Sequence, residues 1–465
     1  MNRWIESLYQ HCPVLVQHAM ITAYGIKLRR LRLGGEYQRF LEELLKSERY
    51  SVAELRAFQC EQLRALIRHC YENVPYYERC LKERKLTPAD FRQPEDLSKL
   101  PILEKETVRS RPDLFQARNY RAADCEIVGT SGSTGATLRI PVNLAGRRKN
   151  YAFFGRLKHW AGINLSPRGA TFAGRVLLPA GTQGPPFWRY NLATNTLLFS
   201  SYHLAPQNLP YYVEKLRQWA PDYIDSYPSS IELVSRFILE RQMEGPRPKA
   251  IITSSETLSE AQRATITQAL HAPVFDQYGS AEQVAFISNC EAGTYHIHPE
   301  FGVTELIPVP AQPGTARIVA TGFTNWAMPL LRYNTGDLAL LSTATSCRCG
   351  RHFPQIGGVL GRMDDLIVTP DGRRVGRLDP VFKGLQSIRR AQMVQDNPRE
   401  LVIRLVPGAG FDAQKDIASI RHELENRLGT KLELKFEVVD DIPVGPGGKF
   451  RAVISRVKSP SPPSC

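Results

Sequence analysis

Thr130-Ser131-Gly132-Ser133-Thr134-Gly135 is a run of hydroxyls and glycines between two stretches that read as strands. Glu126-Ile127-Val128 leads in, and Leu138-Arg139-Ile140-Pro141-Val142 leads out. Glycines let the backbone turn tightly. Clustered N–H groups and hydroxyls make a concave seat for an anion, typically a phosphate. The run is not a Walker A loop, because no Lys-Ser/Thr follows its last glycine, and it lacks the G-x-G-x-x-G spacing of a dinucleotide fingerprint. Taken alone it reads more readily as a plain hairpin loop.

Working outward, strand-like and helix-like segments alternate. Ala170 to Leu178, Leu197-Leu198-Phe199, Tyr223-Ile224-Asp225 and Ala250 to Thr253 are candidate strands. Tyr151 to Trp160, Tyr211 to Trp219, Ser229 to Leu239 and Ser259 to Leu270 carry helical spacing. This alternation predicts an α/β domain with substantial parallel sheet. Open α/β sheets hold ligands at the carboxyl ends of their strands. Two strand ends here carry polar residues in a row, Ser254-Ser255-Glu256 and Asp276-Gln277-Tyr278-Gly279-Ser280-Ala281-Glu282. A carboxylate such as Glu282 suits Mg²⁺, and Tyr278 suits a flat ring. The same stretch equally suits a turn followed by a helix capped by Ser280. Arg332-Tyr333-Asn334-Thr335-Gly336-Asp337 places an aspartate past a tight turn, fit for ribose hydroxyls or for an ordinary Asx turn.

Gly361-Arg362-Met363-Asp364-Asp365 and Pro443-Val444-Gly445-Pro446-Gly447-Gly448-Lys449 complete an ordered set of five motifs from residue 130 to 449. The set resembles the adenylate-forming superfamily of acyl-CoA synthetases, adenylation domains and luciferases. Within it the chain is most similar to the phenylacetate–CoA ligase-like branch, including CapK-like capsule-biosynthesis proteins. The resemblance implies a large N-terminal α/β domain with mixed and parallel sheets and a smaller, mobile α+β C-terminal domain. Residues 1–95 would form a helical part of the large domain and 96–362 its ATP- and acid-binding core. Residues 363–458 would form the small domain, and 459–465 a disordered tail. It implies that Thr130, Ser131, Gly132, Ser133, Thr134 and Gly135 hold the ATP β,γ-phosphates and that Glu282 binds Mg²⁺. Ser255, Glu256, Gln277, Tyr278, Gly279 and Ser280 would line the nucleotide, and Asp337 the ribose. Arg362 would reach the nucleotide, Asp364 would be the hinge, and Lys449 would sit by the carboxylate and α-phosphate. Two departures stand out. Ala281 replaces the usual Thr or Ser, and Thr369-Pro370-Asp371-Gly372-Arg373-Arg374 replaces an R-G-x-N-like segment of the thioester step.

The implied reaction is ATP-dependent activation of a carboxylic acid as an acyl-adenylate, with acyl transfer to coenzyme A. An amine or hydroxyl in polysaccharide or natural-product biosynthesis is the alternative acceptor. AMP transfer and a non-catalytic scaffold are the rival classes. His203, Tyr227, Ser229 and Ser254 are candidate pocket residues; they do not name the acid. Cys290, His296, Cys347 and Cys349 suit a tetrahedral Zn²⁺, with His298 and His352 as rival ligands. The named branch often carries such a structural zinc.

The bulk numbers fit a folded protein. Of 465 residues 42% are hydrophobic and 23% charged, with a net charge of +14. The basic residues are spread along the chain, which argues against a nucleic-acid partner. Nine cysteines scattered over this length do not form a disulfide framework, and a reducing cytoplasm is expected. Met1 to Gln10 lacks the apolar core of a signal peptide. Trp4 to about Leu33 reads as a basic helix packed on the body, with peripheral membrane contact as the alternative. The oligomeric state, monomer or dimer, is left open.

Overall fold

The computed structural model describes residues 8–9, 11–129, 138–163, 167–173, 175, 177–178, 182–204, 207–310, 312–362, 367–370, 374–375, 378, 381, 387–408, 410–428, 432–443 and 451–457. The phosphate-loop candidates Thr130 to Gly135, the hinge candidate Asp364, Lys449 and the tail 459–465 lie outside the described residues.

Four helices come first: α1 (Val14–Leu33), α2 (Tyr37–Ser47), α3 (Val52–Asn73) and α4 (Pro75–Glu83). Asn73-Val74-Pro75 divides the last two. Val74 is extended, with φ −110° and ψ 113°, as a residue before proline prefers. Pro75 then opens α4, where a missing N–H costs nothing. Ser51 and Glu54 form a reciprocal capping box on α3. Leu63, Leu66 and Ile67 of α3 share a core with Phe91, Phe115, Leu330 and Tyr333.

The extended entry at Pro101-Ile102-Leu103 precedes the short helix α5 (Lys105–Ser110). Leu103 donates its N–H to the Arg332 carbonyl at 2.9 Å and accepts from Asn334 N–H at 2.9 Å. This bridge spans nearly half the chain. β1 (Cys125–Gly129) and β2 (Arg139–Asn143) pair antiparallel, flanking the phosphate-loop candidate, and α6 (Leu144–Trp160) follows.

A twelve-stranded sheet carries the rest of the large unit. Its first half holds β3 (Gly169–Ala173), β4 (Trp188–Asn191), β5 (Thr196–Ser200), β6 (Tyr223–Ser226), β7 (Ala250–Ser254) and β8 (Val274–Gly279). The strands β8-β7-β6-β3-β5 run parallel, and β4 is antiparallel at the edge. Helices α7 (Leu209–Trp219), α8 (Pro228–Glu240) and α9 (Glu260–Leu270) alternate with these strands, as the sequence pattern predicts. One strand is shorter than predicted. β3 stops at Ala173, where Arg175 N–H turns back to the Ala173 carbonyl at 2.7 Å. Leu177 and Leu178 are buried all the same, so the apolar run there reflects core packing rather than pairing.

The second half was not legible as strands. β9 (Phe286–Asn289), β10 (Tyr295–Ile297), β11 (Gly302–Pro308), β12 (Thr315–Gly322), β13 (Tyr333–Leu341) and β14 (Gln355–Arg362) pair antiparallel. Beyond them β15 (Ile367–Val368) pairs with β16 (Arg374–Val375). A four-stranded sheet holds β17 (Ile388–Asn397), β18 (Glu400–Pro407), β19 (Glu433–Val438) and β20 (Val453–Ser455), in the order β19-β18-β17-β20. Helix α10 (Ala413–Leu428) covers it with Ile420, Leu424 and Leu428, against Leu401, Ile403 and Leu405. The predicted class, a large α/β unit and a smaller α+β one, is the class observed.

The large unit is fastened by a buried ion pair. Arg156 of α6 is 0% exposed, and its Nη1 lies 2.6 Å from Glu300 Oε1. The same guanidinium donates to the Leu44 carbonyl and to His298 Nδ1, and lies over the rings of Phe153, Trp160 and Phe353. Ser47 Oγ donates to Glu300 at 2.7 Å. Arg156→Leu leaves Glu300 buried without its partner, so urea unfolding should show a loss of about 3–5 kcal/mol. Arg56→Ala breaks only exposed contacts, with Glu95 and Gln93, and the same titration should hardly move.

Candidate active site and metal cluster

Glu282 lies just past the end of β8 and is 7% exposed. Tyr333 Oη donates to its Oε1 at 3.0 Å, and Lys105 Nζ stands 3.3 Å from the same oxygen. Both partners arrive through the Leu103–Tyr333 bridge, which sets the first turn of α5 beside β13. Neither was singled out from the sequence. The available signals were Tyr333 directly before Asn334-Thr335-Gly336-Asp337 and Lys105 directly after the extended entry.

Tyr278, near the end of β8, donates its hydroxyl to Asp337 Oδ2 at 2.6 Å. Burial, reinforced by the Asp337 charge, pushes the Tyr278 phenol well above its usual value. Asp337 sits in β13 opposite Arg362 of β14. The Asx turn is present too, but Asn334 makes it: its Oδ1 accepts from Gly336 N–H at 3.1 Å, and Gly336 takes a φ of +76°. Asp337 is thus left at the edge of the site, held by Tyr278. The structure therefore brings Tyr278, Glu282 and Asp337 together with Lys105 and Tyr333. No helix follows Ser280; a turn leads straight to β9, so the capped-helix reading falls away.

The other nucleotide candidates sit at neighbouring strand ends. Ser255 follows β7 with a φ of +70°, a strained setting for a residue with a side chain. It turns Glu256 toward α8, where the carboxylate accepts from Ser229 N–H at 3.0 Å and Ser229 Oγ at 3.1 Å. A carboxylate on a helix N-terminus is favourable. Gln277 Oε1 and Ser280 Oγ are buried and lack a hydrogen-bond partner among the described residues. Beneath them Asp276 accepts from Thr253 Oγ1 at 2.7 Å and from Tyr295 Oη at 2.9 Å, and burial pushes its carboxyl up.

The pocket candidates spread along the same edge. His203 follows β5, Tyr227 follows β6, Ser229 opens α8, and Ser254 ends β7. His203 Nδ1 lies 2.8 Å from Ser200 Oγ, and its ring stacks on Phe187. Ser254 Oγ lies 3.4 Å from Ser255 Oγ. All four share the carboxyl edge of the parallel strands, where such folds hold ligands.

A second cluster lies on the antiparallel half. The ligand atoms of Cys290, His296, Cys347 and Cys349 all lie within 4.8 Å of one another. Cys290 and Cys347 sulfurs are 3.6 Å apart, and Cys349 Sγ is 3.4 Å from His296 Nε2. Zn–S bonds of about 2.3 Å give a tetrahedral edge of about 3.8 Å, so these spacings fit zinc. His296 Nδ1 faces the Phe353 carbonyl at 3.3 Å, which leaves Nε2 for the metal. Burial lowers the His296 pKa, which keeps the ring neutral, as a ligand must be. His298 is no rival: Arg156 takes its Nδ1 and Ser288 Oγ its Nε2. His352 is exposed and outside the cluster.

Residues 367–456 match the family model described as the CapK C-terminal domain. Over 463 residues the chain is 27% identical to Protein CapK of Staphylococcus aureus, covering 98% of this chain and 100% of that protein. It is 27% identical over 351 residues to a phenylacetate-coenzyme A ligase of Thermus thermophilus, covering 71% of this chain and 74% of that one. Its fold is similar to that of 2-hydroxyisobutyryl-CoA ligase in the postadenylation state, at a TM-score of 0.69 and 19% identity, over 88% of this chain and 91% of that one. The class these relationships define is the adenylate-forming ligase. Within that class its sequence is similar to phenylacetate-coenzyme A ligases and, over nearly its whole length, to Protein CapK.

Proposed function

We propose that this protein uses ATP and Mg²⁺ to convert a carboxylic acid to its acyl-adenylate and then passes the acyl group to coenzyme A. The observation that carries the reading is the convergence of Tyr278, Glu282 and Asp337 at one sheet edge, beside the unpartnered Gln277 Oε1 and Ser280 Oγ. A buried polar atom without a partner costs about 1–3 kcal/mol, which a polar ligand at that edge would offset.

In the first half-reaction a carboxylate oxygen attacks the α-phosphorus, and the bond to pyrophosphate breaks. Mg²⁺ at Glu282 would neutralise charge on the phosphoryl oxygens. Asp337 would accept from the ribose hydroxyls while Tyr278 holds it in place. Ser280 and Gln277 would bind the nucleotide, Ser255 and Glu256 would border it, and Thr130 to Gly135 would cradle the β,γ-phosphates. Lys449 would bring a fixed cation to the α-phosphate, and positioned charge of this kind is the main resource of phosphoryl chemistry. In the second half-reaction the thiolate attacks the acyl carbon and AMP leaves, after the small domain turns about Asp364.

An amine or hydroxyl acceptor is the second reading. It is favoured by the match to CapK over nearly the whole chain and by the departure at Thr369 to Arg374.

ATP–pyrophosphate exchange against aryl, aliphatic and sugar acids tests the first step. One acid class should support exchange, and Lys449→Ala should lower it by about 100-fold or more. Exchange that ignores the added acid, or survives Lys449→Ala intact, would sink the adenylation reading. Product analysis with coenzyme A, amines and saccharides then separates the acceptors.

The four-ligand cluster is proposed as a structural zinc site, since four protein ligands leave no open position for chemistry. Metal analysis should find about one zinc per chain, and Cys349→Ser should lower both metal content and melting temperature. A metal-free protein that melts no differently after chelation would argue for free cysteines.

A further inference from the structure

Helix α1 is fixed to the body by one face. Gln17 and Gly25 are buried, and Gly25 lies so close to Asn191 that a Cβ there would collide with it. Thr22 Oγ1 accepts from Leu192 N–H at 3.1 Å, and Arg29 donates to the Ala193 carbonyl at 3.2 Å. The opposite face is also apolar. Leu15, Ala19, Ala23, Ile26 and Leu33 follow one another at helical spacing, and every one is exposed.

This face is not ordinary surface. Twelve large apolar side chains stand exposed among the described residues, and six of them fall between Leu8 and Leu33. Leu15 is 79% exposed. A seventh, Leu192, is 67% exposed and sits beside the helix, on the loop bonded to Thr22.

Charge completes the pattern. No Asp or Glu occurs between Glu6 and Glu36, whereas Lys27, Arg29 and Arg30 are exposed beside the apolar stripe. Among the described residues no helix is long and apolar enough to cross a membrane. Apolar residues flanked by arginine and lysine on a helix lying flat suit the boundary between headgroups and acyl chains. A second copy fits this face poorly, because it would bring one basic cluster against another.

We propose that the outer face of α1, together with Leu192, seats this protein on an anionic bilayer surface. Leu15, Ile26, Leu33 and Leu192 enter the headgroup boundary, and Lys27 and Arg30 meet the lipid phosphates.

Flotation of the full chain with vesicles is the test. It should float with phosphatidylcholine vesicles that contain phosphatidylglycerol, and not with phosphatidylcholine alone. Each basic residue near an anionic surface contributes about 1 kcal/mol, so Lys27→Gln with Arg30→Gln should weaken partitioning by about 30-fold. Leu15→Ser with Ile26→Ser should weaken it by at least about 10-fold. All four positions are exposed, so melting temperatures should match the parent protein, and the lysine–arginine pair keeps the test valid if the apolar pair fails to fold. No flotation, equal flotation on neutral vesicles, or a wild-type dimer abolished by Leu15→Ser with Ile26→Ser would overturn the proposal.

Discussion

A guanidinium with no access to water, that of Arg156, stands where three parts of the large unit meet. It bonds to the end of α2 through Leu44, to Glu300 on the approach to β11, and to His298 beside the metal cluster. An isolated charge in such a place would be prohibitive. Here it is tolerated because Glu300 sits in fork geometry, Ser47 adds a donor, and three aromatic rings take up the remaining faces. The direction of each bond also sets the state of its neighbour. His298 accepts from Arg156 at Nδ1, so its proton is on Nε2, facing Ser288. Next to it Trp160 Nε1 donates to Glu48 at 2.6 Å, and Arg351 links Glu48 to Glu291. The chain of polar contacts thus runs from the N-terminal helices toward the candidate zinc ligands, with Glu291 next to Cys290 and Arg351 two residues past Cys349.

Much of this was legible in the sequence, and the failures share a cause. The α/β alternation showed because Leu, Ile and Val runs are punctuated by helices with clear caps or prolines, such as Ser259–Gln262 on α9 and Pro228 on α8. Tyr278, Glu282 and Asp337 could be chosen by residue type and motif order. Lys105 could not, because its place beside Glu282 depends on a backbone bridge between Leu103 and Tyr333, and no local pattern encodes a pairing that distant. The antiparallel half was missed because its strands mix polar and apolar residues on both faces, as in Tyr333 to Leu341. Helix α1 reads from the sequence as a basic helix packed on the body, and Gln17 and Gly25 do pack there; what the pattern did not show is how much apolar surface its other face leaves exposed.

Glu256 shows how a strand end can serve structure. The motif suggested a wall for the adenine, yet its carboxylate caps α8 through Ser229. The strained Ser255 immediately before it supplies the turn that makes this reach available.

The pairing of Glu282 with Lys105 has a consequence for how the edge of β8 behaves when empty. A lone buried carboxylate would draw in water or a proton. This one is already matched by an ammonium at 3.3 Å. A divalent cation that took this carboxylate would act as an ion exchanger does and set one ammonium free. Lys105, on the first turn of α5, would then offer its charge to an anion accompanying the metal. Cation uptake and anion uptake at this edge would be two sides of a single exchange.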